Sequence, residues 1–136
     1  MKILLGVILI AVLNSSYGQQ FNASVGDGIA VVGYVDKGAY LNFTGPNVNF
    51  KSGNNKFILG MLPSLRFKED KGEAKNSFIT PNLGVGLTYS YKALAFQLPF
   101  YYNPKTMIEN GQWVIGFGMG VNFNAISAKQ KDRKSN

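Results

Sequence analysis

The sequence predicts an all-β fold: a small antiparallel up-and-down β-barrel of six to eight strands, following an N-terminal signal peptide. Three observations predict it. Several segments alternate large apolar residues with small or polar ones at period two, the period at which strand side chains change face. Gly numbers 16 and aromatics reach 13%, while charged residues are only 15% of the 136, against about 25% in an ordinary soluble domain. Short turns alternate with long polar connections between the segments.

The chain opens with the signal. Met1-Lys2 is a positive start, Ile3 to Leu13 is an almost unbroken apolar run, and Asn14 to Gly18 turns small and polar. Ser16 and Gly18 then occupy the −3 and −1 positions of a cleavage before Gln19, completing the three regions of a secretory signal. The alternative, a membrane anchor, needs a longer run, because about 20 residues are required to span hydrocarbon as a helix. The expected organisation is a signal peptide at 1–18, a barrel domain at 19–124 and a basic, disordered tail at 125–136. The 14 basic residues less Lys2 leave 13 against 7 acidic ones, a formal +6.

In the N-terminal third, Ile29 to Val35 reads as a strand and Asp36-Lys37-Gly38 as its turn. Ala39, Leu41 and Phe43 alternate, Gly45-Pro46 interrupts, and Val48 and Phe50 resume on the opposite parity. One bulged strand there gives six strands. A hairpin at Gly45-Pro46-Asn47, with Phe21 to Val25 as a first strand, gives eight, the usual minimum for a closed single-chain membrane barrel.

The later segments are more regular. Phe57, Leu59, Met61, Pro63, Leu65 and Phe67 share one face, opposite Ile58, Gly60, Leu62, Ser64, Arg66 and Lys68. Leu83, Val85, Leu87, Tyr89 and Tyr91 oppose Gly84, Gly86, Thr88 and Ser90. Leu94, Phe96, Leu98, Phe100 and Tyr102 oppose Ala95, Gln97, Pro99 and Tyr101. Trp113, Ile115, Phe117, Met119, Val121 and Phe123 oppose Val114, Gly116, Gly118, Gly120 and Asn122. Prolines 63 and 99 inside these segments call for bulges or an open seam, since proline cannot donate to a ladder.

Which face points inward decides the reading. A water-borne barrel turns large residues in; a transmembrane barrel turns them toward lipid and keeps small or polar groups inside. A soluble wall covered with Gly would weaken its strands without adding charge. The expected lipid-facing set is therefore Leu83, Val85, Leu87, Tyr89, Leu94, Phe96, Leu98, Trp113, Ile115, Phe117, Met119 and Val121. The expected lumen-facing set is Gly84, Gly86, Gly116, Gly118, Gly120 and Arg66. Segments of nine to eleven residues, tilted near 45°, cover about 21–26 Å, and an outer-membrane barrel's apolar band is about 25 Å tall. Long connections at 68–76 and 103–112 fall at one end, and short ones at 52–55 and 92–93 at the other.

The signal, the glycine-interleaved strand Asn82 to Tyr89 and the final strand Trp113 to Phe123 together resemble small outer-membrane β-barrels of Gram-negative-type envelopes. That resemblance covers about residues 55–123 and implies that Phe123 is the terminal aromatic read by the insertion machinery. In this class the chain ends at that aromatic, whereas thirteen residues follow it here.

Composition excludes several chemistries. Without Cys there is no disulfide, thiolate nucleophile or thiolate metal site. Without His the commonest general base and metal ligand are missing, and a Ser–His–Asp triad is ruled out. Gly116-Phe117-Gly118-Met119-Gly120 lacks the helix a dinucleotide fingerprint needs. A Ser–Lys or Ser–Arg site, such as Ser64 near Arg66, is the kind of nucleophile–base combination left to examine. No catalytic residue, cofactor or metal is expected, and no nucleic-acid partner. The expected setting is the outer membrane, with lipid and other envelope proteins as partners and a structural or accessory role. The alternative is a soluble periplasmic or secreted barrel that binds a small apolar ligand inside.

Overall fold

The computed structural model describes residues 20–68, 78–105 and 107–136. The expected signal peptide, and the charged connection carrying Glu69, Asp70 and Glu73, lie outside the described residues. The rest is nearly all β, a closed antiparallel six-stranded barrel with extra strands.

The strands are β1 (Gln20–Ser24), β2 (Ile29–Val35), β3 (Gly38–Phe43), β4 (Asn47–Ser52), β5 (Asn55–Phe67), β6 (Ile79–Tyr91), β7 (Leu94–Asn103), β8 (Gln112–Ile115) and β9 (Phe117–Asn122). β5 resolves the strand count. Its first half pairs with β4 and its second half with β3, along the same edge, while β6 pairs with all of its other edge. β3 and β4 are thus two halves of one interrupted strand, as the first of the two sequence readings has it. β7 likewise pairs with β9 near its start and β8 near its end. β2 bonds to both β3 and β9, and β6 to both β5 and β7, which closes the ring. β1 is additional and bonds to β4.

The prolines fit these interruptions. Within a strand, a residue's N–H and C=O point to the same neighbour. The Pro99 carbonyl accepts from Gly116 N–H at 2.9 Å, so its proton-less nitrogen faces the break between β8 and β9. Met61 exchanges bonds with Gly45 and Pro46, so Pro63, two residues on, aims at the gap where β3 gives way to β4. Pro81 lies opposite Leu65, which has the same parity as Met61, and therefore aims away from β5. On that side the pairing with β7 extends only as far as Val85. Each proline removes a donor where the ladder has no acceptor for it.

The turns are tight where strands adjoin directly. Asp36 and Lys37 both take positive φ, as a type I′ hairpin requires. Gly53 and Lys92 take positive φ at the first central position of their turns. The turns at 53–54 and 92–93 mark one end of the barrel. The connections leaving β5 and β7 mark the other, together with the 36–37 hairpin.

The outer wall carries many large apolar residues, and the interior mixes polar with apolar groups. Among the described residues, ten buried residues are polar or charged and, with Pro99, nine are apolar, glycines aside. Leu87, Phe96 and Phe117 are 42%, 37% and 54% exposed, all on the outer wall.

The tail departs from expectation. Phe123–Ser135 forms a helix, α1, rather than a disordered segment. Asn122 caps it by accepting from Ala125 N–H at 3.2 Å, and Arg133 and Lys134 in its last turn suit the negative end of the helix dipole. Its sequence is rich in Ala, Lys, Gln and Arg, which favour helix. The final strand also ends one residue earlier than expected. Phe123 opens the helix, although its N–H still donates to Gly28 at 2.9 Å.

Candidate functional site

The outer wall is built from cross-strand rows. Partners in a ladder share a face, so register converts the sequence alternation into continuous stripes. Phe21, Phe50, Phe57, Tyr89 and Phe96 form one row across five strands. Val48, Leu59, Leu87 and Leu98 form the next, and Met61, Val85, Phe100 and Ile115 a third. Leu83, Val85, Leu87, Leu94, Phe96, Leu98, Trp113, Ile115, Phe117 and Met119 are all exposed. Tyr89 and Val121 point the same way but are half-buried.

Aromatic rings gather at both ends of this wall. Near the short turns, Phe57 lies 5.0 Å from Tyr89 and 6.5 Å from Phe50 between centroids. Near the long connections, Phe67 and Phe78 are 6.1 Å apart, and Tyr102 and Trp113 are 5.4 Å apart. An open apolar groove of about 500 Å³ crosses the wall at the Pro63 break, lined by Leu41, Phe43, Pro63, Leu65 and Leu83 among others.

The interior holds the expected glycines but is not lined by them alone. Gly84, Gly86, Gly116 and Gly118 are buried, and Gly120 is half-buried. Gly84 and Gly118 make room for two large residues whose inward role the sequence reading did not single out. Tyr40 and Tyr101 are fully buried, edge to face, with centroids 5.8 Å apart. The Tyr40 hydroxyl sits against the Gly33–Gly118 pair, where a Cβ at either glycine collides with it.

A chain of hydrogen bonds fills the centre. Tyr101 Oη is 2.7 Å from Ser64 Oγ. Asn42 Nδ2 donates to Gln97 Oε1 at 2.5 Å and to Tyr101 Oη at 3.2 Å, and Gln97 Nε2 donates to Thr88 Oγ1 at 3.0 Å. The Ser64 hydroxyl also donates to Leu62 O at 2.7 Å. Arg66 is committed elsewhere, so Ser64 and Arg66 do not form a nucleophile–base pair.

The network predicts opposite outcomes for the two tyrosines. Among the described residues, Tyr40 Oη and Asn42 Oδ1 have no hydrogen-bond partner. Tyr40→Phe removes a buried hydroxyl that gains nothing from the protein, and is expected to leave stability unchanged or raise it by about 1 kcal/mol. Tyr101→Phe takes one hydrogen-bond partner from Ser64 and one from Asn42, which keep Leu62 O and Gln97, and is expected to cost about 1 kcal/mol. Denaturant unfolding of the two variants checks the sign.

Arg66 takes the inward position expected for it and is 8% exposed. Its guanidinium lies 5.4 Å from the Tyr101 ring centre and donates to Asn103 Oδ1 at 2.8 Å. It also reaches Asp36 Oδ2 at 3.5 Å. Lys68 and Asn103 bond the same carboxylate oxygen at 2.8 and 2.9 Å. This cluster ties the 36–37 hairpin to β5 and β7 at the long-connection end. Burial works to raise the Asp36 pKa, but the bonds from Lys68 and Asn103 and the charges of Lys68 and Arg66 outweigh it. They hold the carboxyl below its ordinary 3.8.

A depressed carboxyl stabilises the fold fully above its unfolded pKa and loses that contribution as pH falls through the folded value. Asp36→Asn is therefore expected to flatten the loss of stability below about pH 4. An acid titration followed by circular dichroism, against the wild type, measures this.

At the other end Asp27 plays the matching part. It is 7% exposed, pairs with Lys56 and accepts from Asn47 Nδ2 at 2.7 Å. Asn49 Nδ2 then donates to Asn47 Oδ1 at 3.0 Å. Asn124 Nδ2 donates to the Asp27 carbonyl at 3.0 Å, fixing the first turn of α1 against the barrel. Among the described residues, no group of three acidic side chains is arranged to hold a metal ion.

The described residues form a hydrogen-bonded interior and a large apolar outer surface crossed by an open groove. Comparison with protein-family models, with curated proteins and with solved structures returns no match.

Proposed function

We propose that this chain is a small outer-membrane β-barrel with a structural or accessory role in the cell envelope, as a component of a larger assembly. The observation that carries this reading is the direction of its side chains. Three apolar rows face outward around an interior in which Asn, Gln, Ser, Thr, Tyr and Arg stand beside Ile29, Val31, Val35, Ile58 and Leu62. A contiguous apolar patch beyond a few hundred Å² marks a surface made to meet something other than water. Here the apolar rows cross most of the ring.

The dimensions support the same reading. β5 and β6 each have 13 residues, which at about 3.3 Å rise and 45° tilt reach roughly 30 Å along the barrel axis. Aromatic clusters at both ends match the paired girdles of membrane barrels, whose amphipathic rings favour the headgroup level. Six strands make a narrower barrel than the usual eight. Gly33, Gly84, Gly86 and Gly118 inside a wall of large residues are what such a radius demands.

The filled centre argues for a structural role over transport. Asn42 bonds to Gln97 and Tyr101, and Tyr40 packs on Tyr101, so large side chains occupy the lumen where a wide channel would run. The same filling disfavours the alternative of a small apolar ligand held inside.

Fractionation of cells making the full chain tests the proposal. The expected result is a protein that leaves the membrane only with detergent and migrates differently on gels before and after heating. A monomer released into the soluble fraction by osmotic shock overturns it.

A further inference from the structure

Each of the six ring strands has two neighbours, although among the described strands β8 and residues 79–84 of β6 are unpaired along one edge, and β1 is a further strand at the end of the ring. It bonds to β4 through the register Gln20–Lys51 to Ser24–Asn47, and among the described strands nothing pairs with its other edge. The reason lies in the topology. β2 continues from β1 and pairs with β9, but the chain after β9 turns into α1 instead of extending alongside β1. A row of backbone donors and acceptors is left open beside the apolar wall. Phe21, at the end of the five-strand aromatic row, is 73% exposed.

Proteins blunt such edges with lysine, proline, bulges or inward charges. Gln-Phe-Asn-Ala-Ser has none of these. The molecule carries a large positive charge, yet this segment carries no charge, so like-charge repulsion does not oppose the meeting of two such edges.

The segment is also complementary to itself. When two copies of β1 run antiparallel about a twofold axis at Asn22, Phe21 lies opposite Ala23 of the second copy, on the outer face, twice over. A large ring then covers a small residue at both places. On the other face Gln20 meets Ser24 of the second copy, and the two Asn22 amides face each other. We propose that two copies of this chain pair through β1 in this register, so that the outer wall of one barrel continues into that of the other. The membrane reading strengthens the pairing without being required for it, because hydrocarbon offers no other partner to an open strand edge.

The absence of cysteine makes the test clean. Asn22→Cys, Gln20→Cys and Ser24→Cys are each made in the full mature chain, folded into phosphatidylcholine vesicles at low protein-to-lipid ratio and oxidised. All three positions lie on the short terminal strand, and folding is checked by heat-modified mobility. Across the twofold axis the Asn22 positions are directly opposed, whereas Gln20 is about 14 Å from its own counterpart, beyond the reach of a disulfide. The expected result is at least tenfold more crosslinked dimer for N22C than for Q20C or S24C alone, with crosslinking restored when Q20C and S24C are mixed. Inserted barrels that crosslink equally at all three positions, or at none, overturn the pairing and leave the membrane reading standing. Crosslinking confined to N22C in protein that stays in water and does not enter the vesicles supports the pairing and removes the membrane reading instead.

Discussion

Leu87→Arg and Leu98→Arg are each expected to destabilise the barrel by about 2–4 kcal/mol when it is folded in lipid vesicles. Both residues sit mid-strand in one outward row, paired with each other and, through Leu87, with Leu59. Neither packs in the interior, so the cost does not come from a lost protein core. It comes from placing a guanidinium at the depth where hydrocarbon is thickest, and it falls toward zero near the membrane surfaces. Asn54→Arg, in a short turn, serves as the comparison and is expected to change stability by less than about 0.5 kcal/mol. Reversible urea unfolding from vesicles measures all three. On a wall facing water, arginine at 87 or 98 would behave like the one at 54.

The second large effect lies inside. Gly118→Val is expected to cost about 3 kcal/mol or to prevent closure, because overpacking a filled core forces backbone shifts. A Cβ at this position collides with the Tyr40 hydroxyl and comes within 2.7 Å of Val31 Cγ1 and 2.8 Å of the Val32 carbonyl oxygen. The first two contacts are with side chains and can be relieved by shortening them, whereas the third is with backbone. The smaller change Gly118→Ala should therefore be partly rescued by Tyr40→Phe, with a coupling energy of about 1 kcal/mol in a double-mutant cycle. Additive costs for the two substitutions would mean that the hydroxyl is not what the glycine accommodates.

Much of this was legible in the sequence, because period-two alternation reports directly on which residues share a face. The strands around Leu83–Tyr91 and Leu94–Tyr102 were readable for that reason. So were the inward positions of Gly84, Gly86 and Arg66. The N-terminal strands were harder. The bulge at Thr44-Gly45-Pro46 reverses the parity between Phe43 and Val48, and a parity change looks the same whether the chain bulges or turns back. Only the pairing of β5 with both β3 and β4 separates the two.

The lumen network was hidden for a different cause. Asn42, Gln97, Thr88 and Tyr101 lie on four different strands, and their convergence depends on barrel closure and register, neither of which is local. Alternation put Tyr101 on the small-residue face with Ala95, Gln97 and Pro99, yet it says nothing of how rings as large as those of Tyr40 and Tyr101 are accommodated inside. They fit inside only because Gly33, Gly84 and Gly118 lie against them. The helix after Asn122 was missed because its basic composition resembles a solvated tail. Its cap and the Asn124 anchor on Asp27 are visible only once the barrel end is built.

The direction of the apolar wall can be measured with nitroxide labels, placed one at a time at Leu87 and Leu98 of the folded protein in vesicles, with Asn54 as the turn reference. The two wall positions should collide more often with dissolved oxygen, which concentrates in hydrocarbon, than with a water-soluble nickel chelate, and Asn54 should show the reverse. If labels at 87 and 98 favour the nickel chelate as Asn54 does, the wall faces water and the membrane reading is contradicted.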